Sequence, residues 1–239
     1  MPQPSIERQA ASIVVLGSFN PSIFSPGWLV AEGLLAREDT EDQEVGVIAR
    51  NIARFRCAWL FCEVTFQKLR MVTTDPQEFS RLRDVVEGAL RVLYHTPVAA
   101  VGLNREVHYQ YSSSDEWHRL GDRLMPKEPW EGILKLPGMQ NLQARGVRLD
   151  EYRGYVSIGI QPSTEVVPHG LRIEHNDHYI LEKTSQQPTS RPDYGDTDAL
   201  NPVEATPQRV TTLLEILTNN WDTSLTNGEN AAAAIVRST

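Results

Sequence analysis

Cysteine is scarce in this chain: two among 239 residues. Two thiols cannot build the disulfide framework of a small secreted domain. Long apolar runs are missing as well. No stretch approaches the roughly 18 consecutive apolar residues that would cross a bilayer, and residues 1–10 carry no basic-then-apolar leader pattern. Basic charge is in deficit, with 23 Lys and Arg against 31 Asp and Glu and a formal charge of −8. That balance argues against a general nucleic-acid binder. Together these absences predict a cytoplasmic protein with no membrane association. Phosphate-cradling glycine loops, Gly-x-Ser-x-Gly elbows, His-Glu-x-x-His and Cys-x-x-Cys pairs are absent too. The common nucleotide, hydrolase and zinc chemistries therefore leave no signature. No cofactor and no metal site is expected, and no catalytic residue is assigned.

What is present is helix and strand grammar. Ser25-Pro26 ahead of Trp28, Asp75-Pro76 with Glu78, Ser114 ahead of Trp117, and Thr206-Pro207 all read as helix starts. In each a short polar side chain caps free N–H groups, and proline at the first turn loses no needed donor. After Asp75, Phe79, Leu82, Val86, Leu90 and Leu93 recur at helical spacing; after Pro207, Val210, Leu213, Leu214, Leu217 and Trp221 do the same. Strand-like runs fill residues 12–19, 55–64, 68–73, 98–111, 141–148, 154–161 and 171–181. Residues 183–205 read as a mobile loop and 226–239 as a flexible tail, with a flexible start over 1–11.

The order strand, helix, strands, helix occurs twice, over 12–96 and 97–225. Several residues recur with it: Gly17 with Gly102, Ser25 and Trp28 with Ser114 and Trp117, Leu69-Arg70-Met71 with Leu171-Arg172-Ile173. The expectation is an α+β fold of internally duplicated strand-helix-strand-strand-helix units, forming one antiparallel sheet with helices packed mainly on one face. Alternation supports it. Val101, Leu103, Val107 and Tyr109 share a face, and Asn104, Glu106, His108 and Gln110 share the other. At fold level this plan resembles TATA-binding-protein-like and SHS2 folds, which says nothing firm about activity. Residues 55–64 break the pattern. Read as one strand, they are apolar on both faces, with Cys57 and Cys62 on opposite sides, so the second face needs a cover. Either the connecting chain 32–44 supplies it, or a protein partner or second copy does, through Trp59 and Phe61.

The candidate ligand contacts are Arg70, Asn104, Arg105, His108, Arg172 and His178. The polar faces of two strands offer Asn104 and His108, and a dense cluster runs Glu174-His175-Asn176-Asp177-His178. Within that cluster an Asn176-Asp177 turn is the simpler structural expectation. Arg105 falls among apolar neighbours and needs a carboxylate, whether a helix tie or an anion contact. Trp130, in the proline-bracketed loop after Met125, is a candidate interface anchor.

The segments Val15-Leu16-Gly17-Ser18-Phe19-Asn20-Pro21 and Pro97-Val98-Ala99-Ala100-Val101-Gly102-Leu103-Asn104 resemble a sporadically distributed family of bacterial proteins of about this size. The resemblance spans residues 12–111 by motif and implies the architecture; it brings no activity and no catalytic residues. Two functions follow as expectations. The first is a non-enzymatic binding or assembly protein acting through protein–protein contacts, as a homodimer or with another protein. The second is a small-ligand sensor or enzyme with its site in a groove between the two halves.

Overall fold

The computed structural model describes residues 3–181 and 207–237. The loop expected over 183–205 lies outside the described residues.

Period-two alternation builds nine strands: β1 (Ser5–Gly17), β2 (Glu44–Ile48), β3 (Ile52–Cys57), β4 (Leu60–Thr65), β5 (Lys68–Thr73), β6 (Val98–Gln110), β7 (Leu142–Val147), β8 (Gly154–Pro162) and β9 (Gly170–Ile180). They form one sheet in the order β2-β3-β4-β5-β1-β6-β9-β8-β7. All neighbours are antiparallel. The helices are α1 (Pro26–Ala31), α2 (Phe79–Val92), α3 (Ser114–Leu124) and α4 (Pro207–Arg237). The Ser25 hydroxyl accepts from Trp28 N–H at 3.1 Å, and Asp75 caps a single 3₁₀ turn that leads into α2. The α3 cap is Ser113, which accepts from Glu116 N–H, and not Ser114.

The fold is α+β, with the helices packed against one face of the sheet. Ile13 and Val15 of β1, Leu103 of β6 and Met71 of β5 meet Leu82, Val86 and Leu90 of α2 and Leu213, Leu217 and Trp221 of α4 in one apolar core. A smaller core joins Val107, Tyr109, Leu171 and Ile173 to Leu120 of α3 and Ala232 and Val236 of α4. Complete burial of a Leu or Ile side chain contributes about 1.5–3 kcal/mol, so these two clusters hold the helices down. Among the described residues no helix is long and apolar enough to cross a membrane.

Residues 55–64 are not one strand. Ala58 takes φ 33° and turns the chain between β3 and β4. The two-residue turn restores alternation: Phe55, Cys57, Leu60, Cys62 and Val64 all face the core, and Arg54, Arg56, Phe61 and Glu63 face away. Both thiols therefore lie on the same side, buried and unpaired with each other. Burial pushes the Cys57 thiol up to about 11 and raises Cys62 further.

Three other expectations change. β1 begins at Ser5, so most of the N-terminal segment expected to be flexible is strand. α4 runs on to Arg237 through the segment expected to be a tail, because Gly228, Ala232 and Val236 bury against the sheet. Asn176-Asp177 is neither turn nor bulge: β9 passes straight through it, paired on both sides. From the central β1–β6 pair the sheet runs out through β5, β4, β3 and β2 on one side and through β9, β8 and β7 on the other, so the two flanks run the same way but differ by one strand. The residue matches follow it only in part. Arg70 and Arg172 are each the third residue of β5 and β9. Gly17, however, ends β1 opposite Val98, whereas Gly102 sits inside β6 opposite Val14, and the two caps differ in register. The internal duplication is therefore not established.

α4 approaches β6 closely because position 228 has no side chain. A Cβ there would lie 2.8 Å from the Arg105 Cβ and 3.3 Å from the His175 Cβ. Gly228→Leu is expected to lift α4 off the sheet and cost about 1–3 kcal/mol through overpacking, read as a lowered denaturant midpoint. An unchanged midpoint would show that this contact does not limit stability.

Candidate functional site

The face of the sheet opposite the helices is polar, and strand register explains its layout. One row across it reads Arg56 (β3), Phe61 (β4), Val72 (β5), Ser12 (β1), Asn104 (β6), Asn176 (β9), Ser157 (β8) and Arg145 (β7). The next row on one side places Glu63, Arg70, Gly102 and His178; on the other it places Ala10, Glu106, Glu174 and Gly159. The twist of neighbouring strands makes such a face concave. A groove of about 270 Å³ lies along it, lined by Arg56, Arg70, Ser12, Asn104, Glu106, His108, Arg172 and Glu174 among others.

On one side of the groove the charged groups are paired with one another. Glu106 accepts from His108 Nε2 at 2.8 Å and from Arg172 Nε at 2.8 Å and Nη2. Burial alone would raise the Glu106 pKa, but the hydrogen bonds and charges of His108 and Arg172 outweigh it and bring the carboxyl down to about 2. Arg172 also donates to Glu174 at 2.7 Å, and burial opposes while both carboxylates raise its own pKa. Behind His108, Ser163 Oγ lies 2.7 Å from Nδ1 and accepts the Glu165 and Val166 N–H groups at 3.1 and 2.9 Å. With both acceptor sites of Ser163 occupied, its hydroxyl proton goes to Nδ1, and His108 Nε2–H donates to Glu106. The Ser-His-Glu series looks like a nucleophile relay, but Ser163 is a loop clasp whose lone pairs are taken. Arg8 and Glu165 close this side with an ion pair of 2.7 Å.

The other side is not neutralised. Arg56 and Arg70 flank the Phe61 ring at 5.5 and 5.9 Å from its centroid. Neither guanidinium is in an ion pair or hydrogen bond with the described residues. Glu63, opposite Arg70, is engaged by Arg54 and Lys68 instead. Glu44, opposite Arg56 on the edge strand, makes no ion pair with it.

Four of the six ligand candidates, Arg70, Asn104, His108 and Arg172, thus come together in the groove. His178 is on the same face one row away, stacked on Tyr155 at 4.5 Å. Arg105 is not there. It points into the core, 2% exposed, where Glu229 of α4 (2.8 Å), Gln9 and the carbonyls of Ala10 and Glu106 hold it; it is the helix-to-sheet tie. His175 and Asp177 share that buried face, and Arg148 pairs with Asp177 and Asp150. Burial, with Arg148 nearby, holds the His175 pKa below its usual value despite Asp177. Of the interface candidates, Trp59 sits in the β3–β4 turn, bonded to Asp39 at 3.2 Å and covered by the Arg81 guanidinium at 4.7 Å. The connecting chain over 32–44 therefore covers it. Phe61 is between the two free arginines, and Trp130 is 37% exposed in a 3₁₀ turn. Among the described residues no group of three or more His, Cys, Asp or Glu is arranged to hold a metal.

Comparison with known protein families finds no matching family model, and comparison with curated proteins finds no match.

The Glu106 network carries a pH signature. Its carboxyl titrates near 2 when folded and near 4.5 when unfolded, so below 4.5 the unfolded chain binds the extra proton. Its contribution is complete above pH 4.5 and drains away as pH falls toward 2. Denaturation curves between pH 2 and 5 should show a steeper loss for wild type than for Glu106→Gln; equal slopes would remove this role.

Proposed function

We propose that the protein is a non-enzymatic binding module that holds an anionic small ligand on the open face of its sheet. One observation carries this reading: Arg56 and Arg70 flank Phe61 over a concave groove, and both lack a counter-charge among the described residues. Two guanidiniums held near one another match a carboxylate or phosphate, which they engage through paired N–H donors. The polar centre of the groove, Ser12 and Asn104, supplies orienting hydrogen bonds.

The chemistry of the groove favours binding over turnover. The one serine beside a histidine is committed to its loop, and the glutamate beside them is held ionised by two donors. Glu106, Glu165 and Glu174 among the arginines also work against a continuous polyanion such as nucleic acid. The expected protein–protein contact loses support at Trp59, since the apparent two-sided strand is a hairpin and Asp39 and Arg81 occupy that indole. Two buried free thiols fit a reducing compartment such as the cytoplasm.

The test is ligand-linked stability. Inorganic phosphate or acetate at tenfold over its Kd should stabilise the wild-type chain by about 1.4 kcal/mol. The Arg56→Ala, Arg70→Ala double variant should show no such gain. Equal gains in both proteins would assign the effect to bulk anion chemistry and refute the site.

A further inference from the structure

The groove is polarised across the strands. On the β3–β5 side stand two unpaired cations, Arg56 and Arg70. On the β9 side one arginine, Arg172, serves two carboxylates, Glu106 and Glu174. Two carboxylates thus share one guanidinium there. Glu106 is saturated by its donors, so the carboxylate open to a ligand is Glu174, whose side chain is 39% exposed and takes a single donor. Space lies beside it. Gly159, directly opposite Glu174 on β8, has nothing within 4 Å of where a Cβ would stand.

A simple anion would use only half of this groove. Resting on the anion-binding reading above, we infer that the ligand is a zwitterion: its carboxylate lies between Arg56 and Arg70, and its ammonium group lies against Glu174. The separation of the two ends fixes its size. Arg70 and Glu174 are three strand steps apart across the sheet, roughly 14 Å, and four residues apart along it, roughly 13 Å, so their backbones are roughly 20 Å apart. Side chains reaching inward from both ends reduce the gap to roughly 10 Å. An extended chain advances about 3.3–3.6 Å per residue, so about three residues fill it. Ser12 and Asn104, midway across, face the peptide groups of such a ligand. The ligand class is therefore a free tripeptide, held by its two termini and read little by its side chains.

Calorimetric titration with triglycine, N-acetyl-triglycine and triglycine amide at low ionic strength and neutral pH tests this. Triglycine should bind roughly tenfold or more tightly than either blocked peptide. Glu174→Gln should reduce triglycine to the affinity of the acetylated peptide and leave the acetylated peptide unchanged. Arg56→Ala and Arg70→Ala should weaken both of these. Thermal melts of each variant without ligand check that the fold is retained. Equal binding of triglycine and its acetylated form would overturn the zwitterion inference while leaving the anion site standing. Absence of triglycine binding up to ~10 mM would overturn it too, and the phosphate and acetate titration would then decide the anion site separately. Loss of both would sink the two readings together.

Discussion

β1 and β6, thirteen residues each, run antiparallel through the middle of the sheet, and every other strand joins the body through one of them. β5 adds to the free edge of β1 and β9 to the free edge of β6. This central pairing sets the register of everything outward. It decides that Ser12 stands beside Asn104 and Ala10 beside Glu106. A slip of one residue would turn Ile13, Val15 and Leu103 to solvent and send the polar row into the core. The apolar side holds that register, and the polar side inherits it as the layout of its groove.

The open face therefore holds mutually compensated charges at one end and uncompensated ones at the other. Glu106 could be made internal to the groove only because His108 and Arg172 reach it from two directions. Arg105, one residue earlier on the same strand, projects through the opposite face and solves a separate problem, anchoring α4 by Glu229. Two adjacent charged residues thus serve unrelated ends, divided only by the pleat.

Much of this is legible in the residues. The alternation of β6 and β8 is unbroken, so their two faces follow directly from period two. Arg70, Asn104, His108 and Arg172 sit on polar faces and are found by the same rule. The β3–β4 hairpin is not legible, because Ala58-Trp59 carries none of the Gly, Asn or Asp that a two-residue turn usually demands, and apolar residues run through it. Its misreading inverts the phase of Phe61 relative to its neighbours and hides Arg56 as a groove residue. The α4 extension is hidden for a different reason. Asn227-Gly228 reads as a helix stop, yet tertiary contact with Arg105 and His175 requires glycine at that point in the helix. The role of Glu174 depends on strand order, which no local pattern reveals.

α4 follows all nine strands in sequence, yet it covers the middle of the sheet, packing on β6, β9 and α2. During synthesis the sheet would emerge with its apolar side bare, and Arg105 would have no carboxylate until Glu229 arrives. Most of the contacts that close the core join residues far apart along the chain, a topology associated with slow folding and a long exposure of sticky intermediates. The same helix that leaves the polar face free makes the nascent protein dependent on being shielded until its final third has been made.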